Sequence, residues 1–182
     1  PAHLIIYRDG VSEGEFERVL HIEKKGIKEA CQAIEPGYKP SMTYIVVQKR
    51  HQARFRPANS REGDRHGNAK PGTVVDENFY LIAHESLQGT ARPIHYFVLH
   101  DDHGFSSDKL QELTFKLCCL FGRATRIVSI VPPVYYAHLA AKRATLHFAG
   151  DWAAEGSEST TSSFASSWKP VQAGMGNTMF YV

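Results

Sequence analysis

Apolar and polar positions along this chain switch between a period of two and a period near 3.6, and the switches mark its elements. Leu4-Ile5-Ile6-Tyr7 is a short continuous apolar run, which predicts a buried strand over residues 3–8 closing on Arg8-Asp9-Gly10. Ser12 and Glu15 stand at the S-x-x-E spacing of a capping box, the signature of a helix start. Phe16, Val19, Leu20, Ile27, Ala30, Cys31 and Ile34 recur at helical spacing, so an amphipathic helix is expected over 13–34, ended by Pro36-Gly37. Thr43-Tyr44-Ile45-Val46-Val47 is β-branched and aromatic, a second strand that delivers Gln48, Lys49 and Arg50 at its end. Residues 57–73 hold Pro, Asn, Ser, Gly and charges with almost nothing apolar and read as an exposed loop.

Two more strands are expected over 79–83 and 94–99, joined by residues 87–93. Ser106 or Ser107 can cap a helix whose apolar stripe is Leu110, Leu113, Leu117, Cys118 and Phe121. Ile127 to Val131 is a short strand-like run. Pro132-Pro133 then opens a last helix, where the missing proline N–H costs nothing because the first helical N–H groups lack partners anyway, and the helix is expected to run to about Phe148. Residues 150–175, rich in Ser, Gly and Ala, read as a mobile loop, and the apolar tail over 176–182 is expected to dock on the domain. Strands alternating with helices give one α/β domain over residues 1–149.

Composition adds bounds. With 182 residues, 42% of them hydrophobic, the chain can build one ordinary core. No apolar run approaches the roughly 20 residues that span a membrane, and no secretory signal precedes Leu4. The chain does not begin with Met and enters a strand at once, so a piece of a longer protein is expected. Cys31, Cys118 and Cys119 form no C-x-x-C pair, which suits buried thiols in a reduced, cytoplasmic setting. The net charge of +2 says little, but its distribution says more. Lys49, Arg50, His51, Arg54, Arg56, Arg61, Arg65, His66 and Lys70 cluster, whereas acids gather in the first helix. A basic face on a near-neutral domain fits a polyanion, although a charge run alone more often marks a solvated face.

Asp9-Gly10 taken alone is a common turn dipeptide. His138 on the last helix has Tyr135 three residues before it and Lys142 four after, which puts the three on one face; a lone helical His is more often a packed residue than a ligand. The segments "YRDGVSEGEF", "YIVVQKRH", "LQGTARPIHYFVL", "FSSDKLQELTFKLC" and "YYAHLAAKRA" carry the decision. In this order they strongly resemble the C-terminal part of the PIWI domain of eukaryotic Argonaute proteins, almost continuously from residue 1 to about 148.

That resemblance implies an RNase H-like mixed sheet flanked by helices, with only the C-terminal portion in this chain. It implies small-RNA-guided silencing: a guide RNA paired with a target RNA and, in slicing members, hydrolysis of the target phosphodiester by an Asp-Glu-Asp-His set with two Mg²⁺ or Mn²⁺ ions. By motif Asp9 matches the second Asp and His138 the final His, both as metal ligands; the first Asp and the Glu are expected upstream. Lys49, Arg50, Arg54, His84, Gln88, Arg92, Arg123, Arg126, Ser129 and Tyr135 match positions along the guide backbone, and Arg143 matches the arginine reaching the guide 5′-phosphate pocket. The remainder of the PIWI domain and the MID domain are implied partners. A Gly-Trp-repeat protein is a further one, since Ile34, Glu35 and Tyr38 fall where animal members bind it. The alternative is a guide-binding silencing protein that recruits partners and does not cut. Gln52 and Phe121 depart from the common His and Tyr, and the Asp76–Glu77 junction is about eight to ten residues shorter than usual, beyond ordinary loop-length scatter.

Overall fold

The structure is a computed structural model that describes residues 1–76, 80–148 and 168–182. Contacts divide it into two units, Pro1–Val134 and Tyr135–Val182. In the first, the early apolar run forms β1 (His3–Asp9), a 3₁₀ turn (Glu13–Glu15) leads into α1 (Phe16–Ile34), and β2 (Ser41–Gln48) follows. β3 (Val74–Asp76), β4 (Tyr80–Ile82), β5 (Ile94–Asp101) and α2 (Ser107–Cys118) complete its elements. α3 (Pro132–Ala144) starts at the end of this unit and continues in the second, followed by a 3₁₀ turn at Thr145–His147.

The five strands form one mixed sheet in the order β1-β2-β5-β4-β3. β1 and β2 are parallel, because α1 carries the chain back between them; the remaining pairs are antiparallel. Side-chain alternation along β2 splits the core. Tyr44 and Val46 face α1 with Val11, Ile6, Phe16, Val19, Leu20, Phe97 and Leu99. The opposite face carries a tyrosine cluster: Tyr80 stacks on Tyr96 with centroids 5.1 Å apart, and Tyr7 meets Tyr96 edge-on at 6.5 Å. Thr114 of α2 sits at its centre, 2.9 Å from the Tyr7 hydroxyl and 3.1 Å from that of Tyr80, while its own hydroxyl also reaches the Leu110 carbonyl at 2.8 Å. Burial pushes the Tyr7 phenol up to about 12 and the Cys118 thiol up to about 12, so both are neutral.

Several local expectations are corrected. The capping box does not close: Ser12 makes no side-chain cap, and the Glu15 carboxylate pairs with Arg18 at 2.9 Å instead. The buried side of α2 is Leu110, Gln111, Thr114 and Cys118 rather than the all-apolar stripe, because the facing tyrosine hydroxyls and Asp76 need partners; Gln111 donates to Asp76 at 2.7 Å. Ile127–Val131 forms no strand, since the Val128 N–H is taken by the carbonyl of Cys118 at the end of α2. Cys119 is exposed, unlike Cys31 and Cys118. β3 was not expected at all. Phe79, the short junction after Asp76 and most of the Ser/Gly/Ala-rich 150–175 segment lie outside the described residues.

In the second unit the chain end makes ring and backbone contacts. Tyr181 meets Tyr136 at 6.5 Å, Phe180 meets His147 at 6.1 Å, and the Lys169 N–H donates to the His147 carbonyl at 2.7 Å.

Candidate nucleic-acid interface

Strand polarity decides which side chains meet. β1 and β2 run parallel, and β4 runs the same way across β5, so the C-terminal ends of all three share one rim of the sheet. β1 ends there at Asp9, opposite Val47. β2 runs out into Lys49 and Arg50, both exposed. β4 runs out through Ala83 into His84 and the loop that carries Gln88 and Arg92 into β5. Six positions from three separate stretches of sequence are thus brought to one rim by topology alone.

Asp9 is partly buried and followed by Gly10 at φ +78, a left-handed turn that a side chain disfavours. Its backbone is clamped from behind. Arg8 donates from Nε to Glu23 of α1 at 2.9 Å and from Nη1 to the Asp9 carbonyl. The Tyr44 hydroxyl donates to the other Glu23 oxygen. Burial first, and the Glu23 carboxylate next, raise the Tyr44 phenol and keep it a donor. The strand end that presents Asp9 is therefore tied to both α1 and β2.

The cationic residues beyond the strand ends make local contacts of their own. Arg54 turns back to donate to the carbonyls of His51 and Ala53 at 3.0 and 2.6 Å, and His51 donates to the Pro93 carbonyl at 2.8 Å. Arg126 pairs with Glu85 at 3.0 Å, which ties the segment after α2 to the residue next to His84. A hollow of about 450 Å³ opens here, lined by Arg123, Arg126, Ser129, Glu85 and Leu87. Leu87 is 68% exposed.

His84 differs from the other expected contacts. It is 2% exposed, and neither ring nitrogen has a hydrogen-bond partner among the described residues. Burial, reinforced by the nearby Lys49 charge, pulls its pKa down to about 4. His95 is likewise held near 4, by burial and then by His51. Both rings are neutral at physiological pH.

Tyr135, His138 and Arg143 belong to the second unit, on α3, where His138 and Arg143 are exposed and Tyr135 is half-buried. Asp9 and His138 thus fall in different units. Asp9 offers a hard oxygen of the kind Mg²⁺ prefers, and His138 an imidazole nitrogen. Among the described residues no group of three His, Cys, Asp or Glu side chains is placed to hold an ion, so the donors of this chain amount at most to part of a ligand set. No helix among the described residues is long and apolar enough to cross a membrane.

The rim at the other ends of the strands carries a second hollow, of about 470 Å³, lined by Lys28, Cys31, Tyr38, Pro40, Met42 and Asp102. Tyr38 belongs to the expected Gly-Trp-repeat region, whose Ile34 is 79% exposed. Sequence reasoning missed three residues of the cationic rim or its supports. Glu23 reads as one of many helix acids, Glu85 as a loop charge, and Asn68 as part of an exposed loop, whereas it is buried.

The Piwi domain family matches residues 1–148. Among curated relatives, rice protein argonaute 14 is 52% identical over 155 residues, 79% of this chain and 15% of the relative. Arabidopsis protein argonaute 10 is 51% identical over 158 residues, 81% of this chain and 16% of the relative. The chain thus spans about a sixth of the length of such relatives. Among solved structures, the C-terminal lobe of a budding yeast Argonaute superposes with a TM-score of 0.83 at 33% identity, covering 100% of this chain and 40% of that one. Kluyveromyces polysporus Argonaute with a guide RNA gives 0.83 at 33% identity, covering 100% of this chain and 24% of that one.

Proposed function

This chain belongs to the Piwi-domain family, as part of an Argonaute protein with the RNase H-like fold, and from that premise we propose that it forms the guide-holding side of a small-RNA-guided endoribonuclease. The observation that carries the reading is the shared rim: Lys49, Arg50, Gln88 and Arg92 stand at or just beyond the strand ends where β1 ends at Asp9, with Arg126 joined to the same rim through Glu85 and Arg123 lining the hollow beside that pair. A guide must be gripped by its phosphates so that its bases stay free to pair, and a cationic rim with hydroxyl and amide groups does that. Support also comes from the yeast relative of the same fold, which was solved with a guide RNA.

In this reading Lys49, Arg50, Arg54, Gln88, Arg92, Arg123, Arg126, Ser129 and Tyr135 follow the guide backbone, His84 lies beneath it, and Arg143 serves the 5′-phosphate. Asp9 and His138 would each supply one ligand to divalent ions, Mg²⁺ or Mn²⁺, whose chemistry would be to activate water and stabilise the leaving oxygen of the target phosphodiester. The clamp of Arg8, Glu23 and Tyr44 fixes the carboxylate's strand end, so little reorganisation is needed when an ion arrives. Completion of the set rests on an Asp and a Glu outside this chain. Without them the same rim would serve a silencing protein that holds a guide and recruits partners, with the opposite hollow as a place for a Gly-Trp-repeat segment.

Single-turnover cleavage of a fully paired target by the full-length, guide-loaded protein tests the reading. Asp9→Ala and His138→Ala are each expected to lower the cleavage rate by at least about 10³-fold while leaving guide loading intact. A wild-type protein that loads guide and never cuts would select the recruiting alternative; failure to load any guide would end both.

A further inference from the structure

The loop over residues 57–73, which reads as solvated, hides a buried amide. Asn68 is 3% exposed. Its side chain bonds to neither helix nor strand: Oδ1 accepts from the Ala91 N–H at 2.8 Å, and Nδ2 donates to the Gly89 carbonyl at 3.1 Å, both in the 86–92 loop, with a longer contact from Nδ2 to the Asp64 carboxylate at 3.5 Å. Those two backbone groups flank Thr90, with Gln88 just before them and Arg92 just after. Gly89 takes φ +71 between them, the left-handed residue of the turn.

Asn68 is itself held rigidly. Asp64 accepts at Oδ1 from the backbone N–H groups of His66 and Asn68, both at 2.8 Å, and the Asp64 N–H donates to the Asn68 carbonyl at 2.8 Å. These bonds, first that from Asn68, hold the Asp64 carboxyl below its ordinary range, so it stays an acceptor at neutral pH. The 64–68 ring is preformed and presents one planar group bearing both a donor and an acceptor. Only an amide matches a carbonyl and an N–H together; a carboxylate would oppose the Gly89 oxygen, and a hydroxyl is too short to span both.

We propose that Asn68 is a positioning residue for guide binding: its amide holds the 86–92 loop in the turn that aims Gln88 and Arg92 at the guide phosphates. The proposal rests on the guide-holding reading above, since Gln88 and Arg92 must face the guide. It assigns work to a segment that otherwise has none, and it explains why a polar side chain is enclosed there rather than left in water.

The test uses the full-length protein carrying Asn68→Asp, Asn68→Ser, Gln88→Ala, Arg92→Ala, and Asn68→Asp with Arg92→Ala. Three quantities are read: hydrogen exchange of the 86–92 amides without guide, the guide dissociation rate, and its dependence on salt. Each Asn68 variant is expected to speed exchange at Ala91 and guide release by about five- to tenfold, the loss of one or two hydrogen bonds. Arg92 then no longer reaches its phosphate, so the salt slope falls by about one. In the double variant Asn68→Asp adds clearly less to the release rate than it does alone, because one of the two residues it positions is gone. A merely structural Asn68 would give multiplying effects and an unchanged salt slope, and that result overturns the proposal. Arg92→Ala and Gln88→Ala that both leave guide release unchanged would overturn it at its premise, even with exchange at Ala91 still raised. Asn68→Ser keeps the test decisive if the aspartate variant does not fold.

Discussion

Replacing His84 by leucine separates what stabilises the rim from what the rim is for. The ring is 2% exposed and both nitrogens lack a partner among the described residues, so each carries a desolvation cost of about 1–3 kcal/mol with no hydrogen bond to offset it. Leucine removes those polar atoms and keeps an apolar body of similar size, at a packing cost of about 1 kcal/mol. His84→Leu is therefore expected to raise the local stability of β4 by about 1 kcal/mol at pH 7.5. The acid side gives a sharper number. The folded ring has a pKa of about 4, below the ordinary ~6.5, so the unfolded chain binds the proton first as pH falls. Stability is full above about pH 6.5, declines below it, and the loss levels off below about pH 4. Between pH 7.5 and pH 5 the cost is about 2 kcal/mol. His95 contributes a similar slope, so the difference between wild type and variant isolates His84. The assay is native-state hydrogen exchange at β4 amides of the full-length protein, corrected for intrinsic exchange, at the two pH values. The leucine variant should open about 30-fold less readily than wild type at pH 5 beyond any difference at pH 7.5. A variant that keeps the whole wild-type slope, or is destabilised by more than about 2 kcal/mol at pH 7.5, refutes the reasoning, because the ring would then be a satisfied member of the core.

Thr114→Val removes the hydroxyl shared by Tyr7 and Tyr80 and leaves two enclosed phenols without it, so α2 should lose about 2 kcal/mol of protection, measured by hydrogen exchange of its central amides. Glu85→Gln frees Arg126 from a partly exposed ion pair worth at most about 1 kcal/mol; guide should bind up to about fivefold more tightly at low salt, with the gain vanishing near 1 M salt in a filter-binding titration.

What could be read from residue order followed the strength of local signals. β1, α1, β2 and the two halves of α3 carry long apolar runs or clear periodicity, and they appear close to where the pattern puts them. The errors share a cause. Ser12 could cap, but Glu15 found Arg18 and the backbone closed the turn without the hydroxyl. Ile127–Val131 has the composition of a strand, yet no strand edge among the described residues meets it, and the end of α2 claims Val128. Thr114 and Gln111 look like solvent-facing residues until the tyrosines and Asp76 that they satisfy are folded against them. At the rim, motif alone singles out the cations and Asp9. Their common placement is not legible there, because it depends on β4 running with β2 rather than against it. Asn68 escaped for the same reason: its partners lie more than twenty residues ahead, and nothing near it in sequence announces them.

The direction in which these strands run also sets a distance. β2 has eight residues, and at roughly 3.3 Å each it keeps the cationic rim about 25 Å from the hollow beside Tyr38 and Met42. Two surfaces so separated, at opposite poles of a stiff sheet, can change their side chains independently. The pole beside Tyr38 could be rewritten, fused or labelled while the pole that carries Asp9, Lys49 and Arg50 kept its geometry.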